Sequence, residues 1–257
     1  VAEQNMTGIR TGLCLEGRKV ISYSIANFTT LRCLEQVRND AAYHNVNLTM
    51  VSSGGGFTYG ALGMSHHATE DLAILRALPN VCVVAPSTAW ETGYATQAMI
   101  SQEGVGYLRI EKGGIQDAPS DQSYELGKSI VMREGSDATF ISCGRIIEEC
   151  ISAAEQLSQR GFESRILSMH TVKPIDRDAI LRAAEETGLV VVVEEHNSMG
   201  GLGGAVAEQL VGSRIPCRFE HFALPDTYSS VVGDQNILRN YYMIDAHGIV
   251  SRLEAYL

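Results

Sequence analysis

The chain begins with Val1-Ala2-Glu3-Gln4-Asn5-Met6-Thr7-Gly8, a segment that places one carboxylate at the head of a helical pattern. Apolar Met6, Ile9 and Leu13 recur at intervals of three and four residues, which predicts a helix with one apolar face. The small residues between them would let this helix pack closely against another element or a flat ligand. Glu3 itself is ambiguous, because an acidic residue in a first turn also interacts favourably with the helix dipole. Its role therefore depends on the rest of the chain.

Length, composition and charge indicate a soluble globular α/β protein. The sequence has 257 residues, 45% of them hydrophobic and 19% charged, enough for one large domain or two of ordinary size. Acidic residues outnumber basic ones by 30 to 20, and no basic run is present. We therefore expect no nucleic-acid partner and no anionic membrane surface. With no apolar run of about 18 residues and no signal peptide, we expect a cytoplasmic protein.

The cysteines lie mostly inside apolar runs, and none of them forms a short-spaced pair of the kind that binds metals. Isolated cysteines in apolar runs are typical of core residues, and the cytoplasm keeps them reduced. We therefore expect these six residues to be free thiols: Cys14, Cys33, Cys82, Cys143, Cys150 and Cys217.

Short β-branched runs alternate with helical patterns along the whole chain, which predicts an α/β fold with two parallel-sheet domains. In the first half, strands are predicted at 19–23, 48–51, 81–85 and 106–110, with helices at 28–42, 69–78 and 89–101. In the second half, strands are predicted at 138–142, 163–167 and 189–193, with helices at 146–160 and 178–187 and one ending at 211. The end, 234–257, is predicted to be helical with a break near His247-Gly248.

A polar segment at 111–124, with two glycines and a proline, is the best candidate for a linker. We place the boundary there, between domains at 1–115 and 116–257. Because the chain starts at Val1, without Met and almost directly on a helix, we expect that the first domain lacks an upstream segment.

Several ordered blocks then identify a family. The first half contains Ala-Glu-Gln-Asn-Met, then Ser-Ile-Ala-Asn-Phe at 24–28 followed by Arg32 and Glu-Gln-Val-Arg at 35–38, then Ser-His-His-Ala-Thr-Glu-Asp at 65–71, then Arg-Ala-Leu-Pro-Asn at 76–80. The second half contains Ser-Met-His-Thr-Val-Lys-Pro at 168–174 and Val-Glu-Glu-His at 193–196 before a glycine-rich turn. These blocks resemble the pyrimidine-binding domain and the three-layer C-terminal domain of transketolase-like thiamine diphosphate enzymes. The resemblance is greatest to the C-terminal subunit of split transketolases.

The resemblance implies a cofactor pocket. The carboxylate that matches Glu3 hydrogen-bonds the pyrimidine N1′ of thiamine diphosphate and activates the cofactor, which is acid/base work for one partly buried carboxylate. Phe28 matches the aromatic residue that packs on the pyrimidine ring. Ile25 and Leu31 stand at two further positions of that pocket where the family usually has aromatic residues.

The resemblance also implies a substrate site. His66 matches the active-site histidine that contacts the hydroxyl of the donor, and His67 is its neighbour. Arg109 and Lys112 lie near the strand end where the family has a phosphate-contacting arginine, although a solvated strand end explains both residues equally well.

The glycine-rich loop departs from the family pattern. Gly60-Ala61-Leu62-Gly63 stands where transketolases usually have Gly-Glu-Asp-Gly, so that Leu62 replaces an aspartate that reads sugar hydroxyls. Gly54 matches a position where the family has a substrate histidine. The cofactor residues are thus kept while the residues for ordinary ketose phosphates are not. We expect an apolar or differently shaped donor or acceptor, with Phe57 and Tyr59 lining the loop.

Two motifs of the second half have structural interpretations. Glu194-Glu195-His196 resembles a metal cluster, but adjacent residues at a strand end point in different directions, so we expect no metal there. The glycines of 200–204 do not follow the spacing of a nucleotide-binding loop, and a close contact between a helix and its surroundings is the better interpretation.

The family's motif for Mg²⁺ and diphosphate is absent from this sequence: no Gly-Asp-Gly is followed some 25 residues later by an asparagine pair. The resemblance therefore implies a partner α subunit that carries the diphosphate-binding domain and holds Mg²⁺ and most of the thiamine diphosphate. An α2β2 heterotetramer is the expected assembly.

We accordingly expect a transferase subunit that passes a two-carbon ketol unit from a ketose-type donor to an aldehyde acceptor, active only with its partner. Loss of the sugar-reading aspartate leaves a decarboxylating alternative open, similar to the β subunit of 2-oxo acid dehydrogenases or to deoxyxylulose-phosphate synthase. A non-catalytic scaffold is the alternative of another class.

Overall fold

The computed structural model describes residues 2–115 and 122–256. Within them, helices and strands alternate and form two five-stranded sheets. The predicted fold class, two α/β domains with mainly parallel sheets, is confirmed. The predicted linker and the boundary between residues 115 and 116 fall partly on 116–121, which lie outside the described residues. That boundary therefore stays a prediction.

The first half contains four parallel strands and five helices, three of them short. The strands are β1 (Val20–Ile25), β2 (Leu48–Ser53), β3 (Val81–Val84) and β4 (Val105–Ile110). The helices are α1 (Glu3–Leu15), α2 (Ala26–Thr29), α3 (Leu34–Gln36), α4 (Asp71–Arg76) and α5 (Ala89–Ser101). The α5 helix has the predicted bounds, and its start is fixed because the Thr88 hydroxyl accepts a hydrogen bond from the Glu91 backbone N–H at 3.0 Å.

The second half contains six strands and five helices. The strands are β5 (Ile130–Arg133), β6 (Ala138–Ser142), β7 (Ser164–Ser168), β8 (Thr171–Lys173), β9 (Leu189–Asn197) and β10 (Arg218–Leu224). The helices are α6 (Ile147–Ser158), α7 (Arg177–Thr187), α8 (Leu202–Val211), α9 (Gln235–Tyr241) and α10 (Ala246–Leu253). Three of these strands, β5, β8 and β10, were not predicted from the sequence, and all three lie at sheet edges.

The two halves share a sheet and a core. The first sheet has the order β1-β2-β4-β3-β8, in which β8 comes from the second half and pairs antiparallel with β3. The second sheet has the order β10-β9-β6-β7-β5, parallel except for β5. One hydrophobic cluster contains Met50 of β2 together with Ile141 of β6 and Val192 of β9. The first domain is thus completed by the second.

The six cysteines are free, and Cys14, Cys33, Cys143 and Cys150 are buried. None of the helices in the described part of the chain is long and apolar enough to cross a membrane.

Two apolar side chains of α1 do not pack within this chain. Thr7, Arg10 and Thr11 are buried, while Ile9 and Leu13 are 59% and 42% exposed. The two threonines tolerate burial because their hydroxyls donate to backbone carbonyls four residues earlier, at 2.7 and 2.8 Å. The apolar face of α1 therefore points away from the rest of this chain.

The predicted helix at 28–42 is interrupted. It consists of α2, a 3₁₀ turn at Leu31–Cys33, α3 and a π-helical segment at Val37–Ala42. The Thr30 hydroxyl donates to the Ala26 carbonyl at 2.7 Å, a contact by which threonine competes with regular helix bonding. The predicted break in the helical end exists but lies before His247-Gly248, between α9 and α10. Both residues lie inside α10, and Asp245 caps the start of this helix by accepting from the Gly248 N–H at 3.0 Å.

Candidate active site

The residues predicted for the cofactor meet beyond the carboxyl ends of neighbouring parallel strands. Phe28 follows β1 within α2, and the glycine-rich loop at 54–67 follows β2. Because β1, β2 and β4 are adjacent in the sheet, the segments after them lie side by side. Ligands of open α/β sheets bind at this edge.

Glu3, Phe28 and His66 are brought together through Arg32. The Arg32 Nη1 donates to Glu3 Oε2 at 2.7 Å, and the Arg32 ζ-carbon lies 4.2 Å from the centre of the Phe28 ring. On the same ring, His66 packs edge-on with 5.6 Å between ring centres. Arg32 was part of the sequence block that identified the family, but no role was predicted for it. A chain of four contacting side chains thus joins the two predicted catalytic residues.

Asn27 ties this group to the glycine-rich loop. Its side-chain amide donates to the backbone carbonyl of Ser65 at 3.4 Å and to that of His67. Asn27 is 9% exposed and directly precedes Phe28, so one residue fixes the aromatic ring relative to His66. The sequence block contained Asn27 as well, but its role depends on a fold that brings residues 27 and 67 into contact.

His67 is held in the glycine-rich loop and also borders the cavity described below. It is 3% exposed, and its Nε2 donates to the Gly60 carbonyl at 3.1 Å. Its ring packs edge-on against Phe57, which is 1% exposed and stacks on Tyr242. Phe57 thus anchors the loop in the second half of the chain.

A cavity of about 360 Å³ opens beside Phe28. Its lining comes from both halves of the chain and includes Phe28, Leu31, Arg32, His67, Tyr228 and Tyr242. Of the predicted cofactor residues, Leu31 therefore lies at the cavity, whereas Ile25 ends β1 and is not part of the lining.

A second cavity, of about 370 Å³, lies on the other side of the loop and collects three of the predicted substrate residues. Tyr59, Leu62 and Lys112 line it, together with Arg145 and Asp234. The Lys112 ammonium lies 5.1 Å from the centre of the Tyr59 ring, and Leu62 is 58% exposed. The predicted substrate residues are thus divided between two sides of one loop.

Tyr59 explains the glycine at position 54. A Cβ atom added to Gly54 would lie 2.2 Å from Tyr59 Cε2, and the φ angle of Gly54 is +94°. The Tyr59 ring therefore fills the space that a larger side chain at 54 would need. The departure from the family pattern at Gly54 is therefore coupled to the position of the Tyr59 ring.

The structure corrects the prediction for Arg109. This residue is 1% exposed, and its guanidinium pairs with Asp71 at 3.2 Å and with Glu111 at 3.6 Å. Burial disfavours the charged guanidinium, but these carboxylates outweigh it and raise the pKa of Arg109 above its usual value. Arg109 is thus an internal ion-pair residue that a substrate anion does not reach. Lys112, three residues later, is exposed.

The motif Glu194-Glu195-His196 joins three different elements. Glu194 accepts hydrogen bonds from the N–H groups of Leu202 and Gly203 at the start of α8, at 2.7 and 2.9 Å. His196 Nε2 accepts one from the Ala73 N–H at 3.3 Å, in α4. In residues 2–115 and 122–256, no group of three or more His, Cys, Asp or Glu side chains could hold a metal ion.

Glu195 is the centre of a buried ion pair. It is 1% exposed and accepts from Arg239 Nε, from the Phe57 N–H and, at 2.9 Å, from Gln235. Its contacts with Phe57 and Arg239 fasten the glycine-rich loop to α9.

Comparisons with known proteins match both halves of the chain. The family model "Transketolase, pyrimidine binding domain" matches residues 1–116, and "Transketolase, C-terminal domain" matches residues 127–249. An apulose-4-phosphate transketolase subunit of Phocaeicola vulgatus is 36% identical over 97% of this chain and 80% of its own length. The chain belongs to the transketolase family. Transketolases are thiamine diphosphate-dependent transferases, so the family predicted from the sequence blocks is confirmed.

Two further transketolases resemble the chain over nearly its whole length. A 6-deoxy-6-sulfo-D-fructose transketolase subunit of Clostridium sp. is 33% identical over 97% of this chain and 77% of its own length. A solved structure described as a split gene transketolase, inactive beta4 tetramer, has a TM-score of 0.88 and 31% identity. That match covers 100% of this chain and 82% of the solved chain.

Proposed function

We propose that this chain is the β subunit of a split transketolase that transfers a two-carbon ketol unit from a ketose-type donor to an aldehyde acceptor. The observation that carries the proposal is the contact chain Glu3–Arg32–Phe28–His66, beside a cavity at the carboxyl end of the first sheet. It joins in space the residues that the family uses for catalysis. We also propose domains at 1–115 and 116–257.

The residues of this site fit the pyrimidine end of thiamine diphosphate. The Arg32 guanidinium is a flat group with N–H donors, and it bonds to Glu3 while lying over the Phe28 ring. A carboxylate and an aromatic ring at this separation therefore accept a planar nitrogen-bearing group. Thiamine diphosphate, when bound, supplies the nucleophilic carbon that carries the two-carbon fragment.

Three residues of this chain act on that group and on the donor. Glu3 hydrogen-bonds the pyrimidine through its carboxylate and thereby activates the cofactor, and Phe28 orients the ring. His66, held against Phe28 by the bonds of Asn27 to the loop, contacts the donor hydroxyl. Leu31 closes the pocket as an apolar wall, whereas Ile25 contributes through the end of β1.

The second cavity supports recognition of an anionic substrate end. Its surface combines Lys112 with Tyr59 and Leu62, while Arg109 lies inside the protein. The names of the two relatives specify a phosphate sugar and a sulfo sugar, both anionic. We propose that Lys112 attracts this anionic group and that Tyr59 and Leu62 shape the space beside it. His67 acts on the substrate only by holding the loop.

A partner subunit completes the site in this proposal. A β-only tetramer of a split transketolase is described as inactive. An α subunit would carry the diphosphate-binding domain and Mg²⁺, in an α2β2 assembly. The exposed apolar face beside Glu3 supports this, because Ile9, Leu13, Ile21 and Tyr23 are between 42% and 64% exposed.

The test is ketol transfer by the chain reconstituted with its partner. Glu3→Gln removes the charge and keeps the shape, and we expect transfer to fall by at least about 100-fold, the size of effect that general acid/base groups have. Glu16→Gln, at the exposed end of the same helix, is the matched control and should stay within about twofold. Full activity of Glu3→Gln would contradict the catalytic assignment and favour the scaffold alternative.

The departure at Leu62 supports the decarboxylating alternative, and some relatives of the chain are named 1-deoxy-D-xylulose-5-phosphate synthases, but the two relatives described above, which are more similar, are transketolases. It predicts that the reconstituted enzyme releases CO₂ from a 2-oxo acid. Turnover of 2-oxo acids without ketol transfer from any ketose would replace the proposed function by this one.

A further inference from the structure

The position of Arg32 at the proposed cofactor site has a consequence for cofactor binding. Its guanidinium donates to the Glu3 carboxylate at 2.7 Å and lies 4.2 Å from the centre of the Phe28 ring. A bound aminopyrimidine needs the same carboxylate and the same ring. The guanidinium resembles that ligand, because it is flat, delocalised and rich in N–H donors.

We propose that Arg32 is an internal competitor of thiamine diphosphate, which occupies the place between Glu3 and Phe28 until the pyrimidine displaces it. The inference rests on the proposed function, because it concerns the same site. In the cofactor-free chain, the Glu3 carboxylate is paired with the Arg32 guanidinium. When the cofactor binds, its pyrimidine ring replaces the guanidinium as the planar partner of Glu3.

Local structure brings Arg32 into this place. Phe28 and Arg32 are four residues apart, and the Arg32 guanidinium reaches back over the Phe28 ring. The interruption at Thr30, with φ −110° and ψ −85°, separates α2 from the 3₁₀ turn that carries Arg32. The Arg32 backbone therefore belongs to a short turn and not to a continuous helix.

A surface groove next to Arg32 can accommodate its side chain after displacement from Glu3. The Arg32 side chain is 38% exposed, and it borders both the cavity beside Phe28 and this surface groove of about 500 Å³. Glu35 and Gln36 line this groove together with Arg32. The Glu35 carboxylate lines the same groove, and it is the acceptor proposed here for the displaced guanidinium.

The competition lowers the apparent cofactor affinity without blocking binding. A partly exposed ion pair and a cation–π contact are each modest interactions. When only a fraction of molecules has an open site, the apparent dissociation constant is the intrinsic one divided by that fraction. An open fraction of roughly one in ten weakens binding about tenfold.

The experiment is calorimetric titration of thiamine diphosphate with Mg²⁺ into the chain reconstituted with its partner subunit. Arg32→Met keeps the length of the side chain and removes the guanidinium. Arg38→Met is the matched control, because Arg38 is an exposed arginine in the same segment that bonds to Asn39 and does not contact Phe28. Thermal melting verifies that both variants fold.

We expect Arg32→Met to bind the cofactor about tenfold more tightly than the native chain, a difference of about 1.4 kcal/mol, with Arg38→Met unchanged within twofold. Equal or weaker binding by Arg32→Met overturns the inference and leaves the proposed function standing. A structure of the cofactor-loaded complex with the guanidinium still on Glu3 also overturns it. Absence of cofactor binding by the native complex overturns the proposed function, and the inference with it.

Discussion

Two Glu–Arg pairs of this chain have the same chemistry and opposite environments. In the pair of Glu3 and Arg32, the side chains are 13% and 38% exposed, and Arg32 borders a cavity. In the pair of Glu195 and Arg239, both side chains are 1% exposed and join the glycine-rich loop to α9. Residue types alone do not separate these pairs, because each combines one carboxylate and one guanidinium.

The difference shows what burial does to an ion pair. Two charges taken out of water require each other, so removing one partner of a buried pair leaves an uncompensated charge in the interior. An exposed partner remains hydrated when its counterpart is lost, and such a pair contributes little to stability. The buried pair therefore serves the fold, and the accessible pair is free to exchange partners during function.

The same substitution in both pairs tests this comparison and gives the largest expected effect. Arg239→Met leaves the Glu195 carboxylate in the interior without its cation, and we expect a loss of about 3 to 5 kcal/mol in the free energy of unfolding. For a chain of this length, that loss corresponds to roughly 10 °C in Tm. Arg32→Met should cost less than about 1 kcal/mol. Equal Tm changes in calorimetric melting would break the comparison.

Lys112 is an accessible charge on the other side of the glycine-rich loop, and it extends the comparison from ion pairs to substrate binding. Lys112→Met removes the exposed ammonium beside Tyr59. We expect KM for an anionic ketose donor to rise about tenfold while kcat stays within about threefold, because the lost contact stabilises the bound substrate and the transition state equally. Steady-state kinetics with an uncharged donor supplies the control, because KM should not change there. A tenfold rise in KM for both donors would show that Lys112 stabilises the loop and does not recognise the charge of the substrate.

A third glutamate is buried without a cation, and it gives the smallest expected effect. Glu91 is 0% exposed and its Oε2 accepts from the Ser87 N–H at 2.6 Å, in a capping arrangement with Thr88. No cation pairs with it in the described ranges 2–115 and 122–256. Burial raises the pKa of Glu91 above its usual value, since desolvation outweighs these hydrogen bonds.

The sign of its pH dependence follows from that shift. With a folded pKa above the unfolded value of 4.5, the native state binds the proton more tightly, so stability falls as pH rises above 4.5 towards the folded pKa. The Glu91→Gln variant has no carboxyl group at this position, so its stability lacks this contribution to the pH dependence. Between pH 5 and 7, we expect the Tm of the native chain to fall relative to that of the Glu91→Gln variant. Parallel pH profiles of the two proteins would contradict the buried-carboxyl account.

Sequence patterns predicted the parts of this molecule that depend on local order. The alternation of β-branched runs and helical spacing predicted α5 and β6 with the observed bounds. The family blocks selected Glu3, Phe28 and His66, which the fold brings together. In these cases, the information lies in residues close in sequence or in a motif that carries its own spacing.

The rest depends on contacts that sequence spacing does not contain. The periodicity of α1 predicted one apolar face, but periodicity does not distinguish packing within the chain from a surface left exposed. Arg109 and Lys112 are close in sequence, but only the fold places Asp71 and Glu111 around the first of them. The β8 strand was missed because its three residues form a strand only by pairing with β3 of the other half.

The measurement that tests the central claim most directly is calorimetric titration of thiamine diphosphate with Mg²⁺ into this chain alone and into the chain mixed with its partner subunit. The proposed split enzyme has Glu3 and Phe28 on this chain and the diphosphate site on the other. It therefore predicts saturable binding to the mixture and none to the chain alone. Binding to neither sample, or equally tight binding to this chain without a partner, would contradict a site shared between two subunits.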